Sequence, residues 1–448
     1  MCEILKAVKD EIVNIENECN NSSDIYLKND VYEPAEPTLL NMPVEIILKI
    51  CTFLDANFLK YTFSKVCSRF GDILADDHLW KYRIHSKIKG RFPALPHLKL
   101  WDSKQIDWQE ICVEIDSEEK KWLNVTETMR HIVVKDVHFA SVDTVLLVNN
   151  GEICISGGRD RSMALWNVLD IQPHDKSENT TTLTDTKPKQ IRHDAHAGWI
   201  WDLASDNIDN ASMIYSASWD NTVKAWDLET EFTCVETFQC GMSALSVITC
   251  DNVIMAGLYS KKILSFDIRV GTSPINTYRP HRGPVLALDT FNNMVASVSE
   301  DRTLAVWDKV AGKLLVNDIK LPTEKAYPVC INWSPASLYI GDSKGSLHLM
   351  HPEEYKYLKT HQIWPEPEIT KPCSKITGCH QSQGSMIVCS DRGEIKFFYN
   401  SFPPHEYSSL KTSTFDVTQL RYLNGVLVIG TCDSALEFWV PKERYTDL

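Results

Sequence analysis

No CxxC pair occurs among the 14 cysteines of this 448-residue sequence, no stretch is rich in Lys and Arg, and no apolar run approaches the length of a membrane span. Each absence excludes something. Cys373 with Cys379 has no second pair with which to complete a zinc site, so no metal is expected and no cofactor is called for. Thiols dispersed through strands and helices read as small buried hydrophobes of a reducing compartment. A formal net charge of −14, from 46 Lys and Arg against 60 Asp and Glu, sets the chain against nucleic acid and anionic membrane. The opening residues, MCEILKAVKDEIVNIENEC, lack the core of a signal peptide, and a membrane span would need ~20 apolar residues. A soluble cytoplasmic or nuclear protein is expected. Neither a Gly-rich phosphate loop nor an isolated acid pair marks an enzyme. Apolar content of 43% is ordinary for a folded protein, and the length suits one large domain with a smaller one.

What the sequence does contain is a repeat. Seven times between Ser156 and Val440 a short polar turn runs into a strand that ends on a large apolar or aromatic residue. The clearest copies are SGGRDRSMALW ending at Trp166, SASWDNTVKAW at Trp226 and SVSEDRTLAVW at Trp307; fainter ones end at Phe266, Leu349, Phe397 and Trp439. Successive end points lie 60, 40, 41, 42, 48 and 42 residues apart. A period near forty with four short strands per unit predicts a seven-bladed β-propeller of the WD-repeat kind over residues 126–448. The first interval is long because of DIQPHDKSENTTTLTDTKPKQ, a polar stretch spanning about 170–190 that reads as a surface loop on blade one. Too few residues follow Trp439 to complete the last blade. MRHIVVK, before the first repeat, is predicted to supply its outer strand and join the chain ends.

In the strong copies an Asp stands six residues before the Trp (Asp160, Asp220, Asp301, and again Asp433). A Ser precedes it by four (Ser156, Ser216, Ser297), and a His lies upstream (His138, His196, His281). Carboxylate, imidazole, hydroxyl and the indole N–H of Trp166, Trp226 or Trp307 can close a hydrogen-bond chain that satisfies groups buried between blades. A Ser-His-Asp hydrolase is excluded because the set recurs inside the repeat, whereas catalysis needs one exposed copy with an oxyanion site. Blades ending at Phe266, Leu349 and Phe397 lack most of this set and are expected to rest on apolar packing and to open first.

Before the propeller the character changes. Residues 1–38 read as a flexible acidic tail; Ile4, Val8, Ile12 and Ile15 repeat at helical spacing, which a docking or dimerisation helix would use. Residues 39–81 predict three or four short helices, with Ile46, Ile47, Ile50, Phe53 and Leu54 on one face. So small a bundle has more large apolar side chains than it can hide, and surplus apolar surface implies a partner. Residues 82–125 read as a helical linker carrying Trp101, Trp108 and Trp122, which are expected to be packed away from water.

Residues 39–81 closely resemble an F-box: a leucine-proline-like opening with Met42 in place of leucine, the LDxxxL turn Leu54–Leu59, the V-C-x-R-F segment Val66–Phe70, and the final Leu79–Trp80. With the repeats that follow, the chain resembles the F-box/WD-repeat family. The resemblance implies that the F-box docks on the Skp adaptor of a cullin-based ubiquitin ligase while the propeller holds a protein substrate. Adaptor-facing positions carried over from the family are Pro43, Ile46, Ile47, Ile50, Leu54, Leu59, Val66 and Trp80, each weighed against packing within the F-box itself. The substrate face maps to Trp199, Trp201 and Trp219, with Arg159, Tyr259 and Leu286 beside them and Asp143, Leu245 and Glu300 as neighbours. Three indoles on one rim form a hot-spot candidate. Arg159, Arg161 and Lys375 are too scattered for a phosphate reader, and an aromatic or apolar segment with basic character is expected instead. The alternative is a non-degradative scaffold for complex assembly. No self-association surface is assigned.

Overall fold

In each repeat a strand must turn back on itself within a few residues, and the backbone solves this the same way seven times. Arg161, Asn221, Lys261, Arg302, Gly345, Gly393 and Ser434 occupy equivalent turn positions, all with φ between 59° and 79°. Only two blades place glycine there, so the other five hold an L side chain in the left-handed region at a cost of about 1 kcal/mol each. Seven sheets result, six antiparallel sheets of four strands and one of five whose added strand is parallel. Their innermost strands lie side by side around a channel.

The computed structural model describes residues 39–95, 106–171, 181–183, 187–335, 337–364, 374–414 and 416–445. The tail 1–38 with its isoleucines, Trp101, Cys373 and most of the 170–190 stretch lie outside the described residues. The chain forms two units, one of residues up to 89 with 104–117, the other of 90–103 with 118–448. Among the described residues no helix is long and apolar enough to cross a membrane, and no group of three or more His, Cys, Asp or Glu could hold a metal ion.

The closing blade joins the two ends of the propeller as the strand arithmetic requires. Met129–Val134 pairs antiparallel with Leu436–Pro441, His131 opposite Trp439. Thr181–Leu183, from the blade-one insertion, adds a fifth strand parallel to Met129–Val134. The imidazole of His131 stacks on Trp439 at 4.5 Å and bonds Glu437 at 2.9 Å. That carboxylate is fully buried and also accepts from the Ser413 and Thr414 amides. Burial pushes Glu437 up, but His131 and Thr414 more than offset it, and the carboxyl sits below its ordinary range.

Blade one and blade two carry the complete hydrogen-bond chain. His138 bridges Asp160 and Ser156 at 3.0 and 2.8 Å, and the Trp166 indole donates to Ser156 at 3.1 Å. His196 bridges Asp220 and Ser216 at 2.8 and 2.7 Å, with Trp226 donating to Ser216 at 2.8 Å. Blade four departs from expectation. His281 bonds Ser297 at 2.7 Å, but Asp301 stands 3.8 Å from it, Thr303 takes its place at 2.8 Å, and the Trp307 N–H meets no acceptor. Asp433 is exposed, and the buried acid of its blade is Glu437. The weak blades also differ from the apolar reading. Blade five buries an Asp342–His348 pair at 3.0 Å, with Thr360 on the other ring nitrogen, and in blade six Glu394 accepts from the Trp364 indole. Blade three does rest on apolar packing, with Phe238 against Phe266 at 5.2 Å.

These buried imidazoles make the propeller acid-sensitive. Burial lowers His281 and His380 from 6.5 to about 4 and also lowers His196, against the pull of Asp220. The folded values lie below the unfolded one, so the unfolded chain takes up protons first. The stability these imidazoles contribute is therefore complete above pH 6.5 and is lost as pH falls towards about 4, offset in part by Asp289, whose carboxyl burial raises to about 6 and which takes up its proton first in the folded state. For His281, whose side chain is fully buried, this is worth on the order of 3 kcal/mol. Asp160, held down to about 2, stays charged across that window. The urea midpoint of the propeller is expected to fall steadily from pH 7.5 to 4.5; a flat midpoint would contradict the buried neutral imidazoles.

Candidate protein-interaction site

The helical unit is built from α1 (Val44–Cys51), α2 (Ala56–Phe58, π-helical Leu59–Phe63 and Ser64–Val66 in unbroken succession), α3 (Ser68–Leu74), α4 (Asp77–Lys87) and the first turns of α5 (Trp108–Leu123). Pro43 starts α1 with φ −54°, where its missing N–H costs nothing. Asp55 caps α2 through the Asn57 amide at 2.8 Å, and Asp76 caps α4 through His78 at 2.9 Å. The carbonyls orphaned at the end of α1 are taken by Arg83, which donates to Cys51 and Leu54 at 2.9 and 2.6 Å. Arg83 also pairs with Asp116 at 2.6 Å, as does Lys87. Burial alone would push Asp116 up; Arg83 and Lys87 bring it below its ordinary value.

This framework decides which apolar residues are surplus. Ile47, Leu54, Leu59, Val66 and Trp80 are buried within the unit, Ile47 at 1% exposure and Trp80 at 0%, with the Trp80 indole donating to Leu74 O at 2.8 Å. The reading of these five as adaptor-facing is corrected: they are the core of the helical unit, together with Phe63 stacked on Phe70 at 4.4 Å. Pro43 is exposed, Ile46 is 47% exposed and Ile50 half-buried. Val44, Phe53, Tyr61 and Tyr82, which the family positions did not include, are also exposed. A groove of about 540 Å³ runs beside α1, lined by Val44, Leu48, Ile73, Leu79 and Tyr82 among others.

On the propeller, one irregularity builds the second surface. Every innermost strand carries a β-bulge near its start, from Val142/Thr144 in blade one to Val417/Gln419 in blade seven. A bulge leaves one residue unpaired and re-aims its side chain. The seven residues so freed are Asp143, Trp201, Leu245, Leu286, Val329, Thr377 and Thr418, and all seven line one cavity of about 440 Å³ at the channel. Two residues upstream, a carbonyl accepts the amide of the residue two before the left-handed turn position: Ser141 from Arg159, Trp199 from Trp219, Ser243 from Tyr259, and so on through Asp416 from Cys432. Each blade thus presents three rim side chains in a fixed frame.

Blade two presents tryptophan at all three. Trp219 packs edge-on against Trp199 and Trp201, both at 6.0 Å, and against Tyr259 at 5.6 Å. Trp199 and Tyr259 are 44% and 48% exposed, while Trp201 and Trp219 are half-buried by their neighbours. Arg159 of blade one lies over Trp199 and Trp201 and bonds Asp143 at 2.9 Å. Leu286 is half-buried and Leu245 buried, though both line the cavity. On the other side of blade one the rim turns polar, with Asp416 and Cys432 from blade seven and Lys375 and Asp391 from blade six. Deeper in, Asp202 lies 3.7 Å from Arg421 and accepts the Val247 amide at 3.0 Å. Burial drives Asp289 up to about 6 although it accepts the Trp333 amide. Of this half the sequence reading named only Lys375, and the individual acids are absent from its positions. The signal was available in Gly393, whose positive φ aligns Asp391 with Arg159 and Trp219 rather than with the turn carboxylates.

Comparison with known proteins finds relatives for both parts of the chain. The F-box-like family matches residues 39–85, and the WD domain, G-beta repeat family matches residues 187–227 and 272–308. Neither describes an enzyme, and the pairing supports an adaptor role. F-box/WD repeat-containing protein 9 of Homo sapiens is 27% identical over 407 residues, covering 90% of this chain and 83% of its own. F-box/WD repeat-containing protein mec-15 of Caenorhabditis elegans is 28% identical over 73% of this chain and 79% of its own. Ribosome biogenesis protein YTM1 of Vanderwaltozyma polyspora is 26% identical over 47% of this chain and 51% of its own. With an F-box-like segment ahead of WD-type repeats in a seven-bladed propeller, this chain is a homologue of F-box/WD repeat-containing protein 9.

Proposed function

We propose that this chain is a substrate-recognition subunit of a Skp–cullin–F-box ubiquitin ligase. The helical unit docks on the Skp-type adaptor, and through it on the cullin, while the propeller rim holds the protein to be modified. The observation that carries this reading is a pair of surfaces in one polypeptide. Pro43, Val44, Ile46 and Phe53 are apolar and exposed on a unit whose core is already complete, and the propeller offers a rim whose second blade is entirely indole. Exposed apolar surface on so small a unit favours an occupant, and clustered Trp side chains are the residues that dominate binding surfaces. The chain supplies no chemistry of its own; it brings two proteins together.

A second reading, a scaffold for complex assembly that never presents substrates, draws support from the relatives named for ribosome biogenesis. Affinity capture separates the two. Deleting residues 39–85 uncouples clients from transfer, so client proteins are expected to accumulate on that variant, and Trp199→Ala/Trp219→Ala is expected to lose them at least tenfold. Adaptor and cullin recovered with the full chain, but no client on the deletion variant under proteasome block, would favour the scaffold.

A further inference from the structure

The rim already contains a bound guanidinium, and it is the protein's own. The Arg159 Cζ sits 5.1 Å from the Trp199 ring centroid and 5.9 Å from that of Trp201. Its Nε donates to Asp143 at 2.9 Å, and that carboxylate is positioned in turn by the Ser141 hydroxyl at 2.8 Å. Two indoles and a positioned carboxylate are what a planar cation needs, since the aromatic faces attract charge and the acid fixes its direction. Arg159 is not locked in: its side chain is 41% exposed, and it reaches the indoles from the neighbouring blade.

We propose that this is a recognition site for an arginine side chain of a partner protein, and that Arg159 occupies it until the partner arrives. An incoming guanidinium takes over the same two indoles and Asp143, and Arg159 swings outward. Two further features fit a basic segment. Asp416 and Asp391 continue the cavity rim from this point, so flanking cations meet carboxylates, and the net charge of −14 draws a basic partner from a distance. The proposal rests on the reading of the propeller as a protein-binding face and names what that face selects.

The test uses the purified full chain and three pools of fluorescent nonapeptides, with four randomised residues on each side of a central arginine, lysine or citrulline. The arginine pool is expected to be retained about tenfold better than the citrulline pool, citrulline keeping shape but losing charge. Trp199→Ala is expected to bring the arginine pool down to the citrulline level. Arg159→Ala, which removes the internal competitor, is expected to raise arginine-pool retention about fivefold. Arg159→Gln serves the same purpose should the alanine variant melt early. Equal retention of arginine and citrulline pools, retention of no pool, or weaker binding by both Arg159 variants would overturn the proposal. An arginine-independent pool held on the tryptophans would leave the receptor reading intact while this one falls. Arginine selectivity with no client on the deletion variant would do the reverse.

Discussion

Replacing Ile46 by aspartate is expected to abolish binding of a Skp-type adaptor while leaving the helical unit folded. Ile46 lies on α1 with about half its surface in water, whereas Ile47, Cys51, Leu59 and Phe63 are enclosed in the core. A carboxylate at this position is solvated in the free chain and costs the fold little. In a docked complex it would be buried against apolar surface without a partner, a loss of about 3 kcal/mol or more. Affinity should drop more than about 100-fold in calorimetric titration, with the helical circular dichroism unchanged. Ile47→Asp, one residue along, is expected to unfold the unit because that side chain is fully enclosed. Equal adaptor binding by Ile46→Asp and the natural chain would remove α1 from the interface.

The second large effect is expected at Trp122, in the last turn of α5 and within the propeller unit. Its indole is 1% exposed, stacks on Phe397 at 4.3 Å and donates to Glu118 at 3.0 Å. Glu118 is itself buried and accepts from Tyr422 at 2.6 Å and Lys121 at 3.1 Å. Trp122→Ala leaves a cavity over blades six and seven and removes one donor from a buried carboxylate, a destabilisation of about 3–5 kcal/mol. For a unit of this size that corresponds to a fall in Tm of roughly 5 °C. Trp122→Phe keeps the stack and loses the hydrogen bond, so about 1–2 kcal/mol is expected. A Trp122→Ala chain melting with the natural protein would contradict the role of this helix end in the propeller.

Much of this architecture was legible because a propeller repeats its errors as well as its rules. The period located the blades, and the shortage of chain after Trp439 located the closing strand, since an open sheet edge has to be covered. The Asp-Ser-His-Trp set was legible in blades one and two, where spacing and geometry coincide. In blade four the same residues are present, yet a shift of about an ångström that favours Thr303 over Asp301 opens the chain, and spacing cannot express that. Asp342 and His348 escaped notice because they lie in one of the faint copies, and only their pairing in three dimensions marks them.

The two surfaces were legible to different depths. Surplus apolar character in residues 39–81 was readable, but helical periodicity cannot say which of Ile46 and Ile47 faces inward when helices pack from two directions. The indoles of the rim were readable from the repeat. The acids further round the rim were not, because Asp391 looks like a turn residue until Gly393 fixes the register, and Asp416 belongs to a blade whose repeat is faint. Bulges made the difference: they aim seven unlike side chains into one cavity, and no single-strand pattern announces them.

The most direct measurement of the central claim is hydrogen exchange on the full chain with and without purified Skp-type adaptor. Slowed exchange is expected, confined to α1 and the residues around its groove, 42–53 and 72–82, with the propeller amides unchanged. Slowed exchange on the blade-two rim, or no change anywhere at saturating adaptor, would contradict it.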